Sequence, residues 1–169
     1  MVKILVVGCG RSGTTFTAAA LNRMGVDVGH EIIRKHGSVS WFMAVDDPEV
    51  PFGDSRRGQS FDVVFHQHRH PLKVLPSVAQ FTPESWRYIA RWVPISQTDS
   101  LPVRAMKYWV HWNAHCEAIA SRRFPVEAPE PALREMAALF QRPYGESRVL
   151  ELPCDMNTRQ HGRLLTAFD

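Results

Sequence analysis

Short apolar runs alternate along this chain with apolar residues spaced three and four apart, and that alternation predicts an α/β fold. Ile4 to Val7 is a continuous apolar run that stops at Gly8, the pattern of a strand covered on both faces in a parallel sheet. Ser12-Gly13-Thr14-Thr15 opens a helix carrying Phe16, Ala19, Ala20 and Met24, with Gly25 where a helix C-terminus favours glycine. Val26 to Gly29 predicts a second short strand. Strand, glycine loop, helix and strand together have the size of a βαβ unit.

From Gly37 to Ser60 glycine, proline and charged residues are dense, which predicts irregular, mobile surface structure. Phe61 to Phe65 reads as the next strand. A helix follows Pro71 to about Phe81, with Leu72, Leu75 and Val78 on one face and Pro76 as an internal obstacle. Two packing helices are predicted over Glu84 to Val93 and Leu101 to Ser121. Pro131 suits the start of another helix, and Arg148 to Leu152 reads as a last strand before Pro153. The expectation is one domain over residues 1–169: a P-loop-type three-layer fold with a central parallel sheet flanked by helices.

Composition narrows the class. The 169 residues are 44% hydrophobic and 22% charged, enough for one good core. A net charge of +3 suits an anionic small ligand and is too small to imply nucleic acid. Three cysteines, Cys9, Cys116 and Cys154, argue against a disulfide framework and for a reducing cytoplasm. The apolar run at the N-terminus is too short for a signal or membrane span, and no later stretch is long enough to cross a bilayer. No membrane partner is therefore expected.

The chemistry concentrates in two places. Gly8-Cys9-Gly10-Arg11-Ser12-Gly13-Thr14-Thr15 lies between a strand and a helix, where backbone N–H groups and the helix N-terminus gather an anion site. The spacing nearly matches the nucleotide-triphosphatase loop, but Thr14 stands where that loop has lysine, so ATP or GTP hydrolysis loses support. Arg11 restores a cation three residues earlier, with a guanidinium able to fork onto a phosphate. A dinucleotide reading through Gly8, Gly10 and Gly13 is weaker, because Arg34-Lys35-His36 stands where an acidic strand end belongs. A tight turn whose glycines serve packing alone is the plain alternative.

The second place is His66-Gln67-His68-Arg69-His70-Pro71-Leu72-Lys73-Val74-Leu75-Pro76-Ser77, which follows a strand and enters a helix. Arg69 and Ser77 could converge there on a second anionic group at the same sheet edge. The alternating His66, His68 and His70 could instead share a metal, although no carboxylate completes such a site, and hydrogen-bonded histidines are the simpler reading.

Taken in this order, Gly10-Arg11-Ser12-Gly13-Thr14-Thr15 and Arg69 through Ser77 resemble the two donor-binding motifs of the sulfotransferase family. The resemblance covers roughly the first 120 residues, with Val28-Gly29-His30-Glu31 and Met106 through Asn113 similar to bacterial members. Asn157-Thr158-Arg159 to Leu164 is faintly similar to their C-terminal segment. The resemblance implies 3′-phosphoadenosine 5′-phosphosulfate (PAPS) as co-substrate and no metal. Gly10, Arg11, Ser12, Gly13, Thr14 and Thr15 would grip the 5′-phosphosulfate, and Arg69 with Ser77 the 3′-phosphate. Arg11 places the chain with the branch that carries arginine in this loop. The chain departs from the family in being short and in lacking a late glycine-rich segment.

Sulfuryl transfer is mostly positioning and charge stabilisation, a role that suits Arg11 and the loop N–H groups. An acceptor hydroxyl needs a general base. Glu31 is the first candidate, in keeping with the glutamate that serves arginine-type relatives at about this separation, and His30 is the second. A solvated surface glutamate is the plain alternative for Glu31. The acceptor is expected to be a small-molecule or carbohydrate hydroxyl, or an amine. Among Trp41, Phe42, Trp86, Trp109 and Trp112, Trp41 is the preferred acceptor contact, while Trp109 and Trp112 read as core. The competing functions are a nucleotide or small-molecule kinase and a truncated, non-catalytic donor-binding protein.

Overall fold

The computed structural model describes residues 1–145. Five parallel strands, β1 (Ile4–Gly8), β2 (Gly29–His30), β3 (Gly37–Ser40), β4 (Val63–His68) and β5 (Arg122–Pro125), form one sheet in the order β2-β3-β1-β4-β5. The helices are α1 (Thr14–Arg23), α2 (Pro71–Val78), α3 (Pro83–Ile89), α4 (Leu101–Ile119) and α5 (Glu130–Leu139). They cover both faces, giving the three-layer α/β architecture. Among the described residues no helix is long and apolar enough to cross a membrane. The predicted strand at Arg148 to Leu152 and the segment from Asn157 lie outside the described residues.

The two-residue period of a strand sorts β1 onto both layers. Ile4 and Val6 join an aliphatic core with Phe65, Ala20, Leu21 and Met24, closed by Leu133, Met136 and Ala137 of α5. Leu5 and Val7 face the other way, into a core of Trp41, Phe42, Tyr88, Tyr108 and Trp112. β1 is buried at all five positions, which is why it reads as an unbroken apolar run. α1 ends in a Schellman motif. The Gly25 N–H bonds the Asn22 carbonyl and the Val26 N–H the Leu21 carbonyl, each at 3.0 Å.

Several expectations are corrected. The stretch from Gly37 to Ser60 is not irregular throughout: it begins with β3, and residues 37–45 are buried. β3 escapes notice because Gly-Ser-Val-Ser carries one apolar side chain, yet Ser38 and Ser40 are fully buried. The remainder of that stretch is tied down at Asp47, whose buried carboxylate pairs with Arg91 at 3.0 Å and accepts the Glu49 N–H at 2.9 Å. β5 is also unexpected. It is an edge strand with Arg122 and Arg123 exposed, so its sequence looks like surface. β4 starts later and runs further than predicted, through His66 and His68. β2 is only Gly29–His30, beyond the apolar Val26 to Val28. α2 absorbs Pro76.

Candidate functional site

The loop after β1 and the segment after β4 meet at the carboxyl edge of the sheet, because β1 and β4 are direct neighbours. The helix following β1 packs on the aliphatic face, and those following β4 pack on the aromatic face. The connections therefore diverge between these two strands, the topological position at which open α/β sheets commonly hold ligands.

Arg11 has φ 71° and Gly13 φ 96°, so the chain turns through the left-handed region twice within three residues. Such a conformation costs an arginine of order 1 kcal/mol and is found chiefly where a site demands it. Gly13 meets that demand without strain. At Gly10 the constraint is space: a β-carbon would lie 2.8 Å from the Phe81 ring and 3.0 Å from the Tyr108 hydroxyl. Below it, the Tyr108 hydroxyl accepts the Gly10 N–H at 2.8 Å and shares a hydrogen bond with Cys9. Burial pushes both the Cys9 thiol and the Tyr108 hydroxyl well above their ordinary values, so both stay protonated. Cys9 and Cys116 are buried free thiols.

Gln67 anchors the loop from the other side. Its amide donates to the Ser12 carbonyl at 2.7 Å and accepts from the Thr17 hydroxyl, tying β4, the loop and α1 together in a buried junction. The Ser12 hydroxyl sits inside the arch against Gly8, fully buried and, among the described residues, with no hydrogen-bond partner. An orphaned buried hydroxyl is rare enough to need a reason, and a bound acceptor would supply one.

The two motifs join at Arg69. Its Nη1 donates to the Arg11 carbonyl at 3.3 Å, while its own carbonyl accepts the Trp109 indole N–H at 3.2 Å. Among the described residues the buried Arg69 Nε has no hydrogen-bond acceptor, and the Glu127 carboxylate lies 4.0 Å away. Glu127 also pairs with Lys73 at 3.6 Å. Burial works against its charge, but backbone N–H groups, including that of His70, with Lys73 and Arg69 hold its carboxyl below the usual range. Arg69 and Lys73 thus flank the Glu127 carboxylate. Ser77 lies nearly buried on α2 and, among the described residues, is not hydrogen-bonded to Arg69 or to the loop.

At the other end of the loop the His30 Nε2 lies 3.2 Å from the Thr14 hydroxyl and 3.3 Å from the Thr15 hydroxyl. Glu31 lies 4.0 Å from the same nitrogen and has φ 65°. Of the two residues that sequence reasoning proposed as bases, His30 therefore reaches the N-terminus of α1, and Glu31 lies beside His30. Burial holds the His30 imidazole below its ordinary value, against the pull of the Glu31 carboxylate.

Trp41 is corrected from mobile acceptor contact to core. It is 8% exposed and packs against six rings: Phe42, Phe52, Phe81, Tyr88, Tyr108 and Trp112. Trp112 is fully buried, as expected, and its indole N–H bonds the Trp41 carbonyl at 2.8 Å. Trp109 is half-buried at Arg69. The three histidines do not converge. His66 bonds Asn113 at 2.9 Å, His68 stacks edgewise on it, and His70 caps α2 by accepting the Leu72 N–H. Among the described residues no group of three histidine, cysteine or carboxylate side chains is arranged to hold a metal.

Gln67 and Tyr108 are the supports that sequence reasoning missed. The strand period would have placed Gln67 with Phe65 on the α1 side, had β4 been extended past Phe65. No comparable signal marks Tyr108. No family model, curated protein or solved structure matches the chain.

Proposed function

We propose that this protein binds PAPS across the crevice between β1 and β4 and transfers its sulfuryl group to a hydroxyl or amine acceptor. The observation that supports the reading is the Arg69-to-Arg11 hydrogen bond at 3.3 Å, which brings the two motifs together at one edge of the sheet. In this reading the glycine loop, Arg11 and the hydroxyls of Ser12, Thr14 and Thr15 hold the 5′-phosphosulfate. Arg69, whose Nε has no hydrogen-bond acceptor among the described residues, takes the 3′-phosphate, and Ser77 assists from α2.

The acceptor oxygen attacks sulfur, a new S–O bond forms, and the bond from sulfur to the 5′-phosphate oxygen breaks. The departing product is 3′-phosphoadenosine 5′-phosphate. Glu31 takes the acceptor proton as general base. Arg11 and the loop N–H groups stabilise charge on the transferred and departing oxygens.

The test is transfer of labelled sulfate from PAPS across phenols, sugars and peptides, with Glu31→Gln beside the wild type and magnesium–ATP as a competing donor. Labelled product that Glu31→Gln reduces by about a hundredfold or more supports the reading, the usual scale of a general base. Phosphoryl transfer from ATP would establish a kinase. Donor binding without any transfer would establish a binding protein.

A further inference from the structure

The segment that follows β5 brings a carboxylate into the second motif. The Val126 N–H bonds the His68 carbonyl at 2.9 Å, which continues the pairing of β5 with β4 and delivers Glu127 beside Arg69, His70 and Lys73. One oxygen, Oε1, faces all three. It accepts the His70 N–H at 3.4 Å and lies 3.6 Å from the Lys73 ammonium and 4.0 Å from the Arg69 Nε. Each contact is longer than the roughly 2.7–2.9 Å of a charge-assisted hydrogen bond. The carboxylate therefore neutralises this corner without closing a strong bond to any of its donors.

We propose that Glu127 is a built-in counter-ion of the 3′-phosphate subsite: its carboxylate stands in for the 3′-phosphate in the free protein, yields Arg69 and Lys73 to that group when the donor binds, and so limits the preference for a 3′-phosphorylated nucleotide. The inference rests on the donor reading above and adds Lys73 to the residues that meet the 3′-phosphate. A phosphate monoester brings three terminal oxygens and up to two negative charges, where Glu127 brings one oxygen and one charge to the same donors. The exchange is open to solvent, since the Arg69, Glu127 and Lys73 side chains are 32%, 33% and 56% exposed. Ion pairs at that exposure are weak, so a dianion can displace this one.

The acidity of the carboxyl reports the same contacts. Partial burial disfavours its charge, yet the backbone N–H groups of Glu127 and His70, with Lys73 and Arg69, hold it below the usual carboxylate range. Among the described residues the charged groups that face it are Lys73 and Arg69. A 3′-phosphate that takes over those cations removes their support and adds a like charge, so the carboxyl rises when the donor binds.

Calorimetric titration with 3′-phosphoadenosine 5′-phosphate and with AMP tests the proposal on wild type, Glu127→Gln and Glu117→Gln. Glu117 is an exposed carboxylate on α4, paired with Arg123 at 2.7 Å, and controls for net charge. Glu127→Gln is expected to bind the 3′-phosphorylated nucleotide about fivefold more tightly, the upper scale of one exposed charge pair. Its AMP affinity, and both affinities of Glu117→Gln, should match the wild type. Unchanged or weaker binding by Glu127→Gln would overturn the proposal, the weaker result making Glu127 a residue that orients Arg69. An equal gain for AMP or for Glu117→Gln would overturn it as well, by reducing the effect to net charge. Carbon-13 NMR of the Glu127 carboxyl needs only the wild type and holds even where Glu127→Gln fails to fold. Its titration should move upward on saturation with the 3′-phosphorylated nucleotide. Bound nucleotide with that titration unmoved would overturn the proposal and leave the donor reading standing, whereas absence of binding by both wild type and Glu127→Gln would overturn both.

Discussion

The two faces of the sheet are built from different materials and do different work. Under α1 and α5 the core is aliphatic, made of side chains such as Ile4, Val6, Leu21, Leu133 and Met136 that have no polar atom to direct. Under α2, α3 and α4 it is a cluster of rings, and three of those rings end in hydrogen bonds to the backbone of the site or its supports. Tyr108 holds Gly10, Trp109 holds the Arg69 carbonyl, and Trp112 holds the Trp41 carbonyl. The aliphatic face docks α1 by burial, with polar ties such as Thr17 to Gln67 at its edge, whereas the rings of the aromatic face hydrogen-bond the backbone of both motifs.

The largest expected effect tests that division. Trp112→Ala empties a fully buried ring position and releases Trp41, costing about 3–5 kcal/mol of stability and weakening donor binding in whatever fraction still folds. Leu21→Ala on the opposite face costs about 2–5 kcal/mol but leaves the affinity of the folded fraction unchanged. Denaturant unfolding paired with nucleotide titration reads both numbers. Equal loss of affinity in the two variants would erase the distinction between the faces.

A smaller and sharper change is Tyr108→Phe. It keeps the ring and leaves the buried Gly10 N–H without its acceptor, at a cost of about 1–3 kcal/mol. Chemical denaturation should show a modest loss, accompanied by weaker donor binding as the loop relaxes. An unchanged affinity would mean that the loop is held by Gln67 alone.

How much of this was legible in sequence follows from the same contrast. Periodicity located all five helices, because an apolar stripe at helical spacing is visible in one dimension. The glycine loop was legible for its residue types, and Arg69 for its place after a strand. β3 and β5 were not, since Ser38 and Ser40 are buried polar residues and Arg122 and Arg123 are exposed on an edge. Trp41 was misplaced because the glycines and charges that follow it resemble surface, while the rings that bury it come from distant α3 and α4 and from Phe52 and Phe81. Gln67 and Tyr108 act through contacts between positions far apart in the chain; the strand period gives at least the face of Gln67, and nothing local marks Tyr108.

The smallest expected effect concerns pH. Burial, partly offset by the Asn113 hydrogen bond, holds His66 below its ordinary value of 6.5. Between the two values the unfolded chain binds more protons than the folded one, so this contribution to stability is complete above about pH 6.5 and is lost as pH falls. Thermal unfolding followed on acidification should show the decline, and His66→Gln should flatten it. An identical decline in the variant would move the origin to other groups.

The central claim is that the loop after β1 and the arginine after β4 form one donor site. Calorimetric titration with 3′-phosphoadenosine 5′-phosphate, beside AMP and magnesium–ATP, tests it on wild type and Arg69→Ala. The account predicts preference for the 3′-phosphorylated nucleotide over AMP by about tenfold or more, the scale of a charge-assisted hydrogen bond, and loss of that preference in Arg69→Ala. No binding, or preference for ATP in both proteins, would contradict it.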